Sequence, residues 1–203
     1  MSAQTDRSTD QPLTFLVVFG SVRRDRAGIG LARALARIVT ERGHQAHLAD
    51  PAEIALPMLD RMYKEFDPGT APEPMERLAG MIRGADAVIV VSAEYNHAAP
   101  PALVNLLDHY LEEWSGKPCG IATYSAGRFG GVRGLSTLRM MLGELGMPTM
   151  PTILPVPTIG TAVTSEGDLT DERMARSVDR FLGELEWWAY AARTRLGSTA
   201  YPS

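Results

Sequence analysis

Between residues 19 and 30 the chain reads FGSVRRDRAGIG, which sets Ser21, Arg23, Arg24 and Arg26 among three glycines, after one apolar run and before a helical pattern. A strand-to-helix turn of this composition suits an anion. The first N–H groups of a helix lack intrahelical acceptors, and its N-terminus carries partial positive charge. Gly20 lets the backbone approach closely, Ser21 adds a hydroxyl, and Arg23 can offer a charge-assisted fork to phosphate oxygens. For Arg24 and Arg26 a solvated basic loop is the plainer alternative.

Two later loops carry residues of the same kind. In AEYNHAAPPALVNLLDHY, which begins at Ala93, the segment Glu94, Tyr95, Asn96 and His97 lies between a strand and a helix start at Pro100 and Pro101. Tyr95 can border a planar ring. Asn96 can serve the edge of a heterocycle or simply shape a turn. His97 has no evident carboxylate partner, so it reads as a contact and not as a general base. In YSAGRFGGVRG, which begins at Tyr124, Gly127, Gly130 and Gly131 bracket Arg128 and Phe129 and allow backbone N–H groups to come close to a ligand.

The elements that must position these loops alternate regularly. Apolar runs at 13–19, 45–49, 87–92, 120–124 and 150–156 read as strands, and the first, third and fourth are nearly continuous, as strands covered on both faces require. Helical spacing of apolar residues predicts helices over 29–42, 74–83, 101–114, 131–145 and about 170–196, the last capped by Thr170. The fold class is therefore α/β, a three-layer, doubly wound, five-stranded parallel sheet with right-handed crossovers. Its ligand lies outside the carboxyl ends of the strands. The expected domain spans 13–196, between a tail at 1–12 and another at 197–203. The long connection at 51–74, rich in Pro and Met, reads as a lid, a subunit contact or an ordinary surface excursion.

Composition removes several functions. A net charge of −4 gives no general basic footprint, so no nucleic acid is expected. No apolar run is long enough to span a bilayer, and the first dozen residues are polar, which points to a cytoplasmic protein and no membrane partner. The single cysteine, Cys119, opens an apolar strand and reads as a buried, inert thiol. The four histidines lack partners at metal-ligand spacing, so no metal is expected, and there is no GxSxG nucleophile elbow. Gly28 and Gly30, with Asp50 after the second strand, imitate a dinucleotide-binding motif, but the glycine pattern is incomplete.

GSVRRD, LADPAEIALPMLD, EYNHAAPPALVNLLD and SAGRFGGVRG follow the first four strands in order, and together the chain resembles the NADPH-dependent FMN reductase family of flavodoxin-like flavoproteins. The resemblance implies that Gly20, Ser21 and Arg23, with backbone around Ala27, Gly28 and Ile29, hold the FMN phosphate. It implies that Glu94, Tyr95, Asn96 and His97 border the ribityl chain and isoalloxazine, while Ser125, Gly127, Arg128 and Gly130 approach the ring. It further implies NADPH or NADH as donor, a small-molecule acceptor (quinone, azo compound, metal oxyanion or free flavin), and a homodimer or homotetramer with each flavin near a subunit boundary. Trp114, Tyr63, Phe66, Trp187 and Trp188 are candidates for that boundary, against the plainer reading of core packing. No residue is expected to act as acid or base, because the flavin carries the chemistry. Arg24 or Arg26 is a candidate for the 2′-phosphate of NADPH. The alternatives are a flavodoxin-type carrier that binds FMN without oxidising NADPH, and a Rossmann protein without flavin.

Overall fold

The computed structural model describes residues 11–202. Strands β1 (Thr14–Phe19), β2 (Gln45–Ala49), β3 (Ala87–Ala93), β4 (Cys119–Tyr124) and β5 (Thr149–Val156) form one parallel sheet in the order β2-β1-β3-β4-β5. Burial explains the order. The nearly continuous apolar runs β1, β3 and β4 occupy the centre, where both faces are covered. β2 alternates exposed and half-buried residues, and β5 contains Pro151 and Pro155, which cannot donate to a ladder; these two strands lie at the edges.

Successive side chains of β1 enter opposite cores, as a period of two requires. Phe15, Val17 and Phe19 pack with residues of α1 (Ile29–Glu41) and α7 (Glu172–Leu196), while Leu16 and Val18 pack with α3 (Glu73–Gly84), α4 (Pro101–Asp108) and α5 (Leu135–Glu144). Two single-turn helices, α2 (Pro51–Ile54) and α6 (Ile159–Ala162), lie in the connections. The doubly wound, flavodoxin-like sheet is as expected from the sequence. Gln11 and Pro12 of the expected N-terminal tail accept hydrogen bonds from Arg193 on α7; residues 1–10 and 203 lie outside the described residues.

Several helix bounds differ from the expected ones, each for a tertiary reason. α4 ends at Asp108 instead of continuing to 114. The Trp114 indole donates to the Leu107 carbonyl at 3.1 Å, and Tyr63 N–H donates to the His109 carbonyl at 2.8 Å, so acceptors that a longer helix would use are taken from elsewhere. α5 begins at Leu135 and not at 131, because Gly130 and Gly131 have φ of 60° and 76° and lead into a 3₁₀ turn at Val132–Gly134. α7 is capped by Asp171, whose Oδ1 accepts from Met174 N–H at 2.7 Å, and not by Thr170, whose hydroxyl donates to the Thr161 and Ala162 carbonyls.

The connection at 51–74 is fastened down. Tyr63 is buried and donates to Glu76 at 2.8 Å, and both ends of the Asn105 amide on α4 grip the backbone, accepting from Leu59 N–H and donating to the Pro57 carbonyl, each at 2.8 Å. Met58 at its tip is 77% exposed. Trp114 and Tyr63 belong to the core of their own chain, so they are not available to a partner; Phe66 is half-buried under Arg61. Trp187 and Trp188 stand exposed on α7 with ring centroids 4.8 Å apart. No helix among the described residues is long and apolar enough to cross a membrane.

Cys119 is fully buried at the start of β4, and that burial pushes its thiol up to about 12. The thiol of the folded chain therefore keeps its proton at pH values where an unfolded chain ionises near 9. Iodoacetamide at about pH 8 is expected to leave the native protein unlabelled and to modify Cys119 only after denaturant unfolds it; mass spectrometry distinguishes the two. Because the folded value is the higher one, the associated stability is intact below about pH 9 and is lost as the pH rises from there toward about 12.

Candidate functional site

The strand order reverses between β1 and β3, so a crevice opens where their carboxyl ends lead away to opposite faces of the sheet. Gly20 extends β1 by one bond, its N–H donating to the Val91 carbonyl at 3.0 Å. Ser21 then turns inward and is only 2% exposed. Its Oγ lies 3.3 Å from the Tyr95 hydroxyl and accepts from Arg23 N–H at 3.4 Å, so the first and second loops meet at this side chain. Among the described residues, the backbone N–H groups of Ser21, Val22 and Arg24 have no protein acceptor. The turn is a donor set with room for an anion.

Its arginines divide into two classes. Arg26 is paired with Asp50, which is 2% exposed and also accepts from Ala52 N–H at 3.0 Å to cap α2. Arg26 is thus committed to a buried carboxylate, which corrects its assignment as a contact for a nucleotide 2′-phosphate. Asp50, which imitates the acid of a dinucleotide motif, is used by this pair and this cap. Arg23 and Arg24 are exposed and make no ion pair among the described residues, and the same holds for Arg128 in the third loop.

The glycines that imitate that motif are spacers between layers. A Cβ on Gly28 would lie 2.2 Å from Cζ of Tyr124, and one on Gly30 would lie 2.0 Å from the Thr164 carbonyl oxygen. Ala27 is exposed, and Ile29 is half-buried where α1 begins.

In the second loop, Asn96 and His97 have φ of 52° and 65°, and Tyr95 and Ala98 exchange backbone hydrogen bonds of 2.9 and 3.0 Å around them. They are the central pair of a tight turn that needs two left-handed residues. His97 in that region is a strained choice, and such strain collects at functional sites. Both side chains are exposed at the carboxyl edge.

Glu94 has a partner within the protein. Its Oε2 accepts from Arg133 N–H at 3.0 Å and its Oε1 lies 3.2 Å from Arg133 Nε, so the carboxylate ties the second loop to the third. Sequence reasoning misses Arg133; the available signal is a carboxylate at a strand end with no cation assigned to it. The guanidinium carbons of Arg133 and Arg128 lie 4.7 and 4.8 Å from the centre of the Phe129 ring. Ser125 donates to the Gly127 carbonyl at 2.9 Å and so shapes its own turn. Gly130 is buried against Val156 and Pro157, whereas a side chain at Gly127 would meet nothing within 4 Å. Gly127 therefore borders open space and Gly130 does not.

The ties Ser21 to Tyr95 and Glu94 to Arg133 link the three loops into one rim. Three hollows lie near these loops. A groove of about 560 Å³ follows β5 and the start of α7, and it lacks the convergent donors of the first turn. A basic groove of about 440 Å³, lined by Arg24, Arg26, Arg33 and Ser165, and an apolar one of about 300 Å³, lined by Val22, Ile54 and Met58, flank the first turn on either side. The donor set fits a phosphate monoester at the turn, and the left-handed pair at 96–97 with the open side of Gly127 fits a planar group further along the rim.

Residues 13–160 match the family model for NADPH-dependent FMN reductase. The chain belongs to this family. A quinone reductase of Pseudomonas putida is 30% identical over 187 residues, covering 84% of this chain and 94% of its own. An NAD(P)H-dependent FMN reductase of Pseudomonas aeruginosa is 31% identical over 127 residues, covering 60% and 69%. Among solved structures, FerB, a flavoenzyme NAD(P)H:(acceptor) oxidoreductase from Paracoccus denitrificans, superposes with a TM-score of 0.71 at 25% identity, over 89% of this chain and 98% of that one. The protein is an oxidoreductase of the FMN reductase family that uses FMN and NAD(P)H and passes electrons to a small acceptor.

Proposed function

We propose that the rim holds FMN with its phosphate in the turn at 20–28, its ribityl chain along Tyr95 to His97, and its ring beside Gly127 and Arg128, and that a quinone is the acceptor. The observation that carries this reading is the first turn: a nearly buried serine hydroxyl, backbone N–H groups without acceptors, and two arginines without ion pairs among the described residues, all at the reversal point of the sheet. The names of the relatives supply the choice of quinone.

FMN, when bound, would supply two-electron redox chemistry between the nicotinamide donor and the acceptor. The chain's part is binding and orientation. Ser21 and Arg23 fix the phosphate, and the turn at 95–98, held by paired backbone bonds, presents Asn96 to the ring edge. The Glu94 to Arg133 tie keeps the two sides of the ring site at a constant separation. Arg128, exposed beside the Phe129 ring, would supply positive charge next to the ring of a bound flavin. Arg24 is the remaining candidate for the 2′-phosphate of NADPH. The reductase works in the cytoplasm, where NAD(P)H is available, as a homodimer or homotetramer to which Trp187 and Trp188 contribute exposed apolar surface.

The test is to load the protein with FMN, mix it anaerobically with NADPH or NADH, and follow the visible absorption of the flavin. Rapid bleaching, then recovery on adding benzoquinone, is the expected result. Bound flavin that stays oxidised would instead describe a flavodoxin-type carrier, and bleaching without recovery would remove quinone as the acceptor.

A further inference from the structure

Tyr124 ends β4 beneath the first turn, and its ring stacks on Phe19 with centroids 6.3 Å apart and an interplanar angle of 16°. The residue is only 6% exposed. Its tip enters the turn through the space that Gly28 leaves: a Cβ there would lie 2.2 Å from Cζ, the carbon that bears the hydroxyl, and 2.4 and 2.6 Å from the two Cε atoms. The hydroxyl lies beside Ser21, in the field of Arg23 and Arg26 and near Tyr95. Burial raises its pKa well above the usual phenol range, so it keeps its proton. The hydroxyls of Ser21 and Tyr95 lie 3.3 Å apart in this turn, and the tip of Tyr124, at the end of β4, reaches the same turn at Gly28.

We propose that Tyr124 is a specificity-determining residue of the phosphate turn, its hydroxyl donating from below to an oxygen of the FMN phosphate, with Gly28 required to let it through. This rests on the reading of the turn as the phosphate site. A phenol that tertiary packing holds in place donates at little entropic cost, and a hydrogen bond to a charged acceptor is among the stronger kind. Riboflavin, which lacks the phosphate, gains nothing from it.

The experiment titrates apo-protein with FMN and with riboflavin, following flavin fluorescence, for the wild type, Tyr124→Phe and Arg23→Ala, and records the thermal midpoint of each apo-protein. Tyr124→Phe is expected to weaken FMN about tenfold, to leave riboflavin within about twofold, and to leave the apo midpoint within about 2 °C. Unchanged FMN affinity, or equal losses for FMN and riboflavin, overturns the role of Tyr124. If Arg23→Ala loses FMN selectively while Tyr124→Phe does not, only the Tyr124 assignment falls. If neither variant separates FMN from riboflavin, the turn is not the phosphate site and both readings fall. Gly28→Ala, which drives the ring out of the turn, is expected to reproduce the FMN loss; wild-type FMN affinity in that variant overturns the requirement for glycine.

Discussion

Replacing Arg23 by alanine is expected to weaken FMN binding about 50-fold, the equivalent of roughly 2.3 kcal/mol, within the range for a hydrogen bond to a charged group. Arg23 is exposed and makes no ion pair among the described residues, so the folded apo-protein loses little when the side chain is removed. The loss should therefore appear in FMN affinity and not in the apo thermal midpoint. Arg23→Lys is expected to recover only part of it, because an ammonium keeps the charge and gives up the planar fork. Rising ionic strength should weaken wild-type binding more than it weakens the alanine variant, since the screened charge is absent from the latter. Equal FMN affinity in wild type and Arg23→Ala, measured by fluorescence titration at low salt, would remove this residue from the site.

Asp50→Ala is expected to cost about 3 kcal/mol of folding stability, seen as a fall in Tm on the order of 10 °C. The carboxylate is almost fully buried, and its loss leaves the Arg26 guanidinium without its counter-charge and α2 without its cap. Arg26 retains 21% exposure and can reach water, which keeps the cost near the lower end for a broken buried pair. Asp50→Asn keeps a cap acceptor and should cost less. The double variant Arg26→Ala with Asp50→Ala should be more stable than Asp50→Ala alone, because no charge is left stranded. Calorimetry of wild type and these three variants decides it: a single Asp50→Ala within about 1 kcal/mol of wild type would show that the pair is dispensable.

The loops of the candidate site are legible in the sequence, and their internal partners are not. Residue types, with the rule that ligands bind at the carboxyl ends of strands, single out the loops after β1, β3 and β4, and the structure brings those loops together. Residue type alone offers Arg26 to a nucleotide, whereas Asp50 engages it. It leaves Glu94 without a cation, whereas Arg133 supplies one from the next loop. Tyr124 reads in the sequence only as the end of a strand, since nothing local says that a glycine on another element makes room for its tip.

The existence of five strands alternating with helices along the chain, the doubly wound parallel class and the family follow from the sequence by itself, because alternation of apolar runs with helical spacing is local and each segment carries its own signal. Only the tertiary structure decided which charges are spent and which remain free. Arg26 and Asp50 are 24 residues apart, Glu94 and Arg133 are 39 apart, Leu59 and Asn105 are 46 apart, and Ser21 and Tyr95 are 74 apart. No periodicity reports such pairs. They depend on which strands lie side by side, and that is set by the burial of both faces of β1, β3 and β4 in a single sheet.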